Sequence, residues 1–268
     1  MMAVGTLSTL VAGVCQTRVM KHHAVGSDRP FLEPGRTLRP VWGSGSYRAA
    51  LVMVAALLAV VGGLAFTVDL RVAAWCKVHR LPGELLRLLN FAEVCGHALG
   101  VAVLLAAALV LDRTLRPGPA IAGRSGGRDL LRLVAATYSG GVVVDLIKAS
   151  VSRVRPRAAD LTELASVFGT FGDAAIDGSV RSGADMMSFP SGHSAVAAGF
   201  AAAMGWKYPH ACPFFAILAA CAVAQRVATS AHYPSDVAFG AAIGLLGAAA
   251  CLTAAPAEST VMARSGPA

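Results

Sequence analysis

The sequence predicts an all-α polytopic membrane protein, with six transmembrane helices in a bundle and a polar site at one membrane face. Three observations carry this reading. Hydrophobic residues make up 56% of the 268-residue chain and charged residues 14%, against about 25% charged in ordinary soluble domains. The apolar residues fall in runs long enough to cross a bilayer, which takes about 20 residues of helix. Three short polar segments, at 148–156, 190–193 and 226–236, lie at the ends of those runs.

The elements follow in chain order. Residues 1–48 read as a basic, poorly ordered tail, with Lys21, Arg29, Arg36, Arg39 and Arg48 among several Pro and Gly. No positive charge precedes Arg18, which is the wrong order for a secretory signal. The six apolar segments fall at 49–69, 88–111, 130–150, 191–208, 213–230 and 236–254, and together form one membrane domain over 49–254. Their interiors are rich in Ala, Leu and Gly, and small residues let membrane helices approach closely. The fourth segment is the least apolar, and its place as a span leans on the even count. Arg113 to Arg128 bound a basic loop rich in Pro and Gly, 157–187 form a polar acidic loop, and 255–268 read as a flexible C-terminal tail.

Counting crossings places the polar segments. The first follows helix three, the second opens helix four, and the third runs from the end of helix five into helix six. Six crossings put all three on one membrane face; another parity would separate them by about 30 Å of hydrocarbon. The tail holds six Lys/Arg and the 112–129 loop four, which argues that both are cytoplasmic. The polar face then looks outward, in a bacterial inner membrane toward the periplasm, although Arg71, Lys77, Arg80 and Arg87 share that side.

The net charge of +8 calls for anionic partners. Nucleic acid does not fit, because the cations are scattered and no aromatic platform accompanies them. Membrane lipid headgroups and a phosphate-bearing substrate fit better. The six cysteines (Cys15, Cys76, Cys95, Cys212, Cys221, Cys251) show no paired spacing and read as small buried hydrophobes, with no metal site among them.

The polar segments supply three cations, two imidazoles and a carboxylate. Phosphoryl transfer loads negative charge onto the equatorial oxygens, so positioned cations stabilise it. Lys148, Arg155 and Arg226 suit that task, as a point charge and two planar forks. An isolated Arg at a helix end reads as a topology or snorkelling residue; three beside two histidines read otherwise. His232 and Asp236 are four apart, with Tyr233 and Pro234 between them, so a turn leading into helix six is expected. There Asp236 can accept a hydrogen bond from one imidazole nitrogen, fix the tautomer, and leave the other nitrogen to attack phosphorus. His193 follows Ser191 and Gly192 at a helix start, where backbone N–H groups bind phosphate oxygens and Gly permits close approach. Ser191 also fits an ordinary N-cap. His193 can protonate a leaving alkoxide and then activate water.

These segments resemble the signature motifs of the type 2 phosphatidate phosphatase superfamily: K-x6-RP, PSGH and SR-x5-H-x3-D. The first two match in full, and the third has Gln225 in place of Ser, which removes whatever bond the serine supplies. The resemblance implies a metal-independent, cofactor-free hydrolase working through a phosphohistidine. His232 would be the nucleophile, Asp236 its orienting partner and His193 the acid/base, while Lys148, Arg155, Ser191, Gly192 and Arg226 bind phosphate. A site at the bilayer interface favours a lipid phosphate or diphosphate: polyprenyl diphosphate, phosphatidylglycerophosphate, phosphatidate or a lipid A phosphate. The same motifs serve a lipid phosphotransferase, and a non-enzymatic lipid-binding or transport protein is the remaining alternative. Soluble relatives in the superfamily include vanadium-dependent haloperoxidases, which the apolar runs disfavour.

Five other polar residues have weaker claims. Asp145, three before Lys148, can pair with it along the helix, or be solvated at the helix end. Glu93 and His97 sit four apart inside the second run, where ionisable groups are costly and often functional, with helix packing an equal alternative. Arg153 and Arg157 flank the first motif and read as solvated loop cations, with contact to the substrate as the alternative.

Overall fold

The structure is a computed structural model and describes residues 44–112, 125–161, 166–172 and 183–252. Of the expected tail at 1–48, residues 1–43 lie outside the described residues, as do 255–268 and Cys15, while Ser44 to Arg48 form the start of the first helix and not a tail. Among those described, eight α-helices follow one another: α1 (Ser44–Ala65), α2 (Asp69–Val78), α3 (Gly83–Glu93), α4 (Ala98–Leu111), α5 (Ser125–Lys148), α6 (Gly192–Lys207), α7 (Cys212–Ala228) and α8 (Pro234–Cys251). The all-α expectation holds among the described residues. Local sequence sets the starts of the last three. Ser191 caps α6 by accepting from the Ser194 N–H, and Pro occupies the first turn of both α7 and α8, where its missing N–H costs nothing.

The expectation of six spans is met in part. Among the described residues, four stretches are long and apolar enough to cross a membrane: Gly45–Ala65, Gly127–Lys148, Pro209–Ala228 and Pro234–Cys251. The run at 88–111 is not one straight helix. A turn of 3-10 helix at Val94–Gly96 separates α3 from α4, the two are bent by 76°, and they make a fifth crossing only if counted as one broken span. The fourth segment, α6, has 16 residues. At 1.5 Å per residue it rises about 24 Å, short of the roughly 30 Å hydrocarbon core. α2 was not foreseen, because the sequence reading ran its first residue into the end of the first span.

Large apolar side chains tend to face out and small ones in. Met53, Leu64, Leu99, Leu131 and Leu146 are exposed, whereas Ala55, Ala136, Ala195, Ala197 and Ala248 are buried. Lipid solvates the large groups as well as protein does, so helix association in a membrane relies on close contact between small residues. This pattern, with the apolar helices, marks a membrane protein. α6 lies at the centre, packed on α5, α7 and α8, while α1 covers α8 and α3 covers α7. Gly240 and Gly244 of α8 let its backbone ride directly on Ser191 and Ala195 of α6; a Cβ at either would run into that backbone. Phe200 and Met204 fill the remaining centre with Leu133, Val101 and Leu105, and the Tyr47 hydroxyl donates to the Ala202 carbonyl at 2.8 Å.

This close approach brings the starts of α6 and α8 together, and the Ser191 N–H donates to the Asp236 carbonyl at 3.0 Å. Gly240→Val should therefore lower the unfolding midpoint of the detergent-purified protein or prevent its folding. Gly63→Ala, which meets nothing within 4 Å, should leave the midpoint unchanged.

Candidate active site

The three polar segments converge at one end of the bundle, where α5 ends, α6 begins, α7 ends and α8 begins. His232 lies in the turn between α7 and α8 and is 2% exposed. That turn holds Ser230 at φ 54°, a left-handed conformation unusual for serine, and the Ser230 carbonyl accepts from the Arg157 N–H at 3.0 Å. His232 Nδ1 is 2.7 Å from the Ser188 carbonyl and 3.6 Å from Asp236 Oδ2. A carbonyl only accepts, so Nδ1 carries the proton and Nε2 is left with a lone pair. The sequence reading expected Asp236 to accept from one imidazole nitrogen; in the structure the hydrogen bond goes to the Ser188 carbonyl, and Asp236 stands behind at ion-pair distance.

Asp236 is held from several sides. Its Oδ2 accepts from the Ser188 hydroxyl at 2.6 Å and from the Tyr233 N–H at 2.9 Å, and its Oδ1 accepts from Arg153. Arg153 is the residue the sequence reading placed wrongly. It is fully buried, not solvated. Its guanidinium donates to Asp236, to Asp69 at 2.8 Å, to Ser235 at 2.8 Å and to Thr170 at 2.9 Å, and lies 4.0 Å from the centre of the Tyr233 ring. Its backbone takes part as well: the Arg153 N–H donates to Met186 and its carbonyl accepts from the Ser188 N–H at 3.0 Å. One residue thus places both groups that face His232 Nδ1. Asp69, the first residue of α2, closes the network by accepting from the Ser235 N–H and hydroxyl. Neither it nor Ser188 was singled out from sequence; a lone Asp ending an apolar run was the available signal.

On the other side, Glu93 pairs with Arg226, and its Oε1 lies 3.8 Å from His193 Nε2. Gln225, the departure from the usual motif, donates to Glu93 Oε2 and to Asn90 Oδ1, both at 3.0 Å. The longer side chain therefore reaches across to α3 and holds the carboxylate beside Arg226. Lys148 lies over Gly192, its Nζ 3.5 Å from where a Cβ on that glycine would sit. Arg155 is half-buried and anchored through Nε to the Ala184 carbonyl at 2.9 Å. Ser191 is fully buried, and its hydroxyl accepts from Ser194, so the side chain serves as the α6 cap. Asp145 is exposed, and its charge acts on the Lys148 ammonium from beyond salt-bridge distance. Arg157 pairs with Asp185 at 2.9 Å.

The local environment keeps both imidazoles neutral. Burial presses the His232 pKa below its ordinary value, partly offset by Asp236. For His193, burial and then the Arg226 charge bring the pKa down to about 3. Unpaired polar atoms collect here too: His193 Nε2 and Arg226 Nε are buried without a hydrogen-bond partner. Buried polar atoms left open in this way suit a ligand that supplies acceptors and charge.

Residues 129–259 match the family model of the PAP2 superfamily, a stretch that contains all three polar segments and α6 to α8. That region belongs to the type 2 phosphatidate phosphatase superfamily. The match supports phosphatase or phosphotransferase activity on phosphate esters. Comparison with curated proteins and with solved structures gave no match. Asp69 and Glu93 lie before the matched PAP2 stretch, so their roles rest on geometry alone.

Two outcomes are expected. Arg153→Ala or Asp69→Ala strands a buried charge and should cost about 3–5 kcal/mol of stability, while Arg157→Ala, at a half-exposed ion pair, should cost under about 1 kcal/mol. Because both histidine pKa values are lowered on folding, the unfolded chain binds more protons below pH 6.5. Their contribution to stability is therefore complete above that value and lost as the pH falls, for His193 down to about 3. Melting curves against pH should show a shallower acid slope for His193→Asn than for the parent protein.

Proposed function

We propose that the protein is a metal-independent membrane phosphatase that removes a phosphate from a lipid phosphate or diphosphate through a phosphohistidine on His232. The observation that carries this is the His232 tautomer: Nδ1 is committed to Ser188 with Asp236 behind it, so Nε2 is the nucleophilic nitrogen.

Lys148, Arg155, Arg226 and the backbone at Gly192 bind the phosphate oxygens, and Ser191 shapes that backbone. His232 Nε2 attacks phosphorus as the bond to the leaving oxygen breaks, and the imidazolium that forms is stabilised by Asp236. The leaving alkoxide or phosphate takes a proton from His193. Water then enters, gives its proton to His193, and its oxygen attacks the phosphohistidine. The P–N bond breaks, and inorganic phosphate and free His232 result. His193 is neutral in the empty site and needs a proton for the first step. A phosphate dianion beside it raises its basicity, and Glu93 at 3.8 Å favours the charged form in the same direction.

A lipid substrate is supported by the surface around these residues. Phe91 and Leu99 flank Glu93 and the start of α4 at 75% and 76% exposure, and Leu146 near Lys148 is 67% exposed. Acyl or prenyl tails would lie against that surface with the headgroup at the cations. The Lys/Arg distribution supports a site on the outward face, which in a bacterial inner membrane is the periplasmic one.

Purified protein in EDTA should release phosphate from at least one of polyprenyl diphosphate, phosphatidylglycerophosphate, phosphatidate or lipid A phosphate. His232→Ala should abolish turnover and acid-labile phosphate labelling of the protein. His193→Ala should lower turnover by about 10²–10⁴-fold. An absolute metal requirement, or undiminished labelling of His232→Ala, would count against the mechanism.

A further inference from the structure

Where the α3–α4 bend meets the first turn of α6, three metal-ligating side chains converge beside the phosphate site. Glu93, His97 and His193 each offer one donor atom, and the three donors lie within 4.8 Å of one another. Glu93 ends α3, His97 precedes α4, and the His97 ring meets the His193 ring edge-on with centroids 4.6 Å apart. His193 Nε2 is buried and has no hydrogen-bond partner. Gly96 keeps the two segments together, since a Cβ there would lie only 3.0 Å from the His193 carbonyl oxygen.

Two imidazoles and a carboxylate are the donor set of open zinc sites, which leave a fourth position for water or another ligand. Metal–ligand bonds of about 2.0–2.1 Å ask for donors closer together than the limit here. His97 is exposed, so its ring is free to swing inward. We propose that Glu93, His97 and His193 bind one Zn²⁺, or a Zn-like divalent ion such as Co²⁺, and that occupancy inhibits the enzyme by capturing His193. Neutral imidazole is the ligating form, and a metal-bound His193 neither gives nor takes a proton. Two features oppose the ion and make its binding reversible. Arg226 and Gln225 already contact the Glu93 oxygens, and Lys148 adds positive charge near His193. The inhibition rests on the role proposed for His193 above; the binding does not.

The test uses full-length, detergent-purified protein carrying His22→Ala and His23→Ala, so that the paired histidines of the tail do not compete. Co²⁺ is titrated and followed by its visible d–d bands, Zn²⁺ binding is measured by equilibrium dialysis, and phosphate release is assayed in parallel. One ion per chain is expected, with inhibition reversed by EDTA. His97→Ala should weaken binding and inhibition by at least about tenfold, while its turnover without metal stays near that of the parent. Should His97→Ala not purify as a monodisperse protein, His97→Gln serves in its place. No stoichiometric binding by the parent, equal affinity in the His97 variant, or cobalt bands of thiolate character would overturn the proposal. Binding is read without turnover, so a protein inactive on every lipid would defeat the proposed function and leave the metal result standing.

Discussion

The site depends on a guanidinium sealed between two carboxylates. Arg153 is fully buried, with Asp69 on one side and Asp236 on the other, all three at 0% side-chain exposure. Burying three charges carries a large desolvation cost, offset only when every donor and acceptor is used. Here the use is thorough: the Arg153 side chain reaches Thr170, Ser235, Asp69 and Asp236, and three aromatic rings lie around it. Such a cluster has few alternative arrangements. It ties together the loop after α5, the start of α2 and the start of α8, and so determines where His232 points.

The consequence for chemistry is preorganisation. The carbonyl that receives the His232 proton belongs to Ser188, which Arg153 positions through its backbone, and the carboxylate behind it is gripped by the Arg153 side chain. Neither group has to reorganise when the imidazole becomes positive, which is where preorganised electrostatics contribute most. The second imidazole is arranged differently. His193 stands among cations with an open buried nitrogen, facing a carboxylate that Arg226 and Gln225 share. One histidine is fixed for attack and the other left responsive to whatever ligand arrives.

Much of this was legible in the sequence. The spacing within 148–156, 190–193 and 226–236 named the cations and both histidines, and placing those segments at helix ends predicted that they would meet. What stayed hidden was long-range partnership. Arg153 looks like any loop cation beside a motif, because nothing local reveals that Asp69, 84 positions away, neutralises it. Gln225 read as a lost serine, yet its extra length reaches Asn90 and Glu93 on α3. The span count was recovered only in part, for a related reason. Hydropathy does not register the bend at Cys95 and Gly96, nor that an apolar segment such as α6 is sheathed by other helices instead of lipid.

The most direct test of this account is a structure of the protein with vanadate, which adopts the five-coordinate geometry of a phosphoryl group in transfer. The account predicts vanadium bonded to His232 Nε2, its equatorial oxygens met by Lys148, Arg155 and Arg226, and Nδ1 still donating to Ser188. Vanadium bonded to His193, or to His232 through Nδ1 with the Ser188 contact broken, would contradict it.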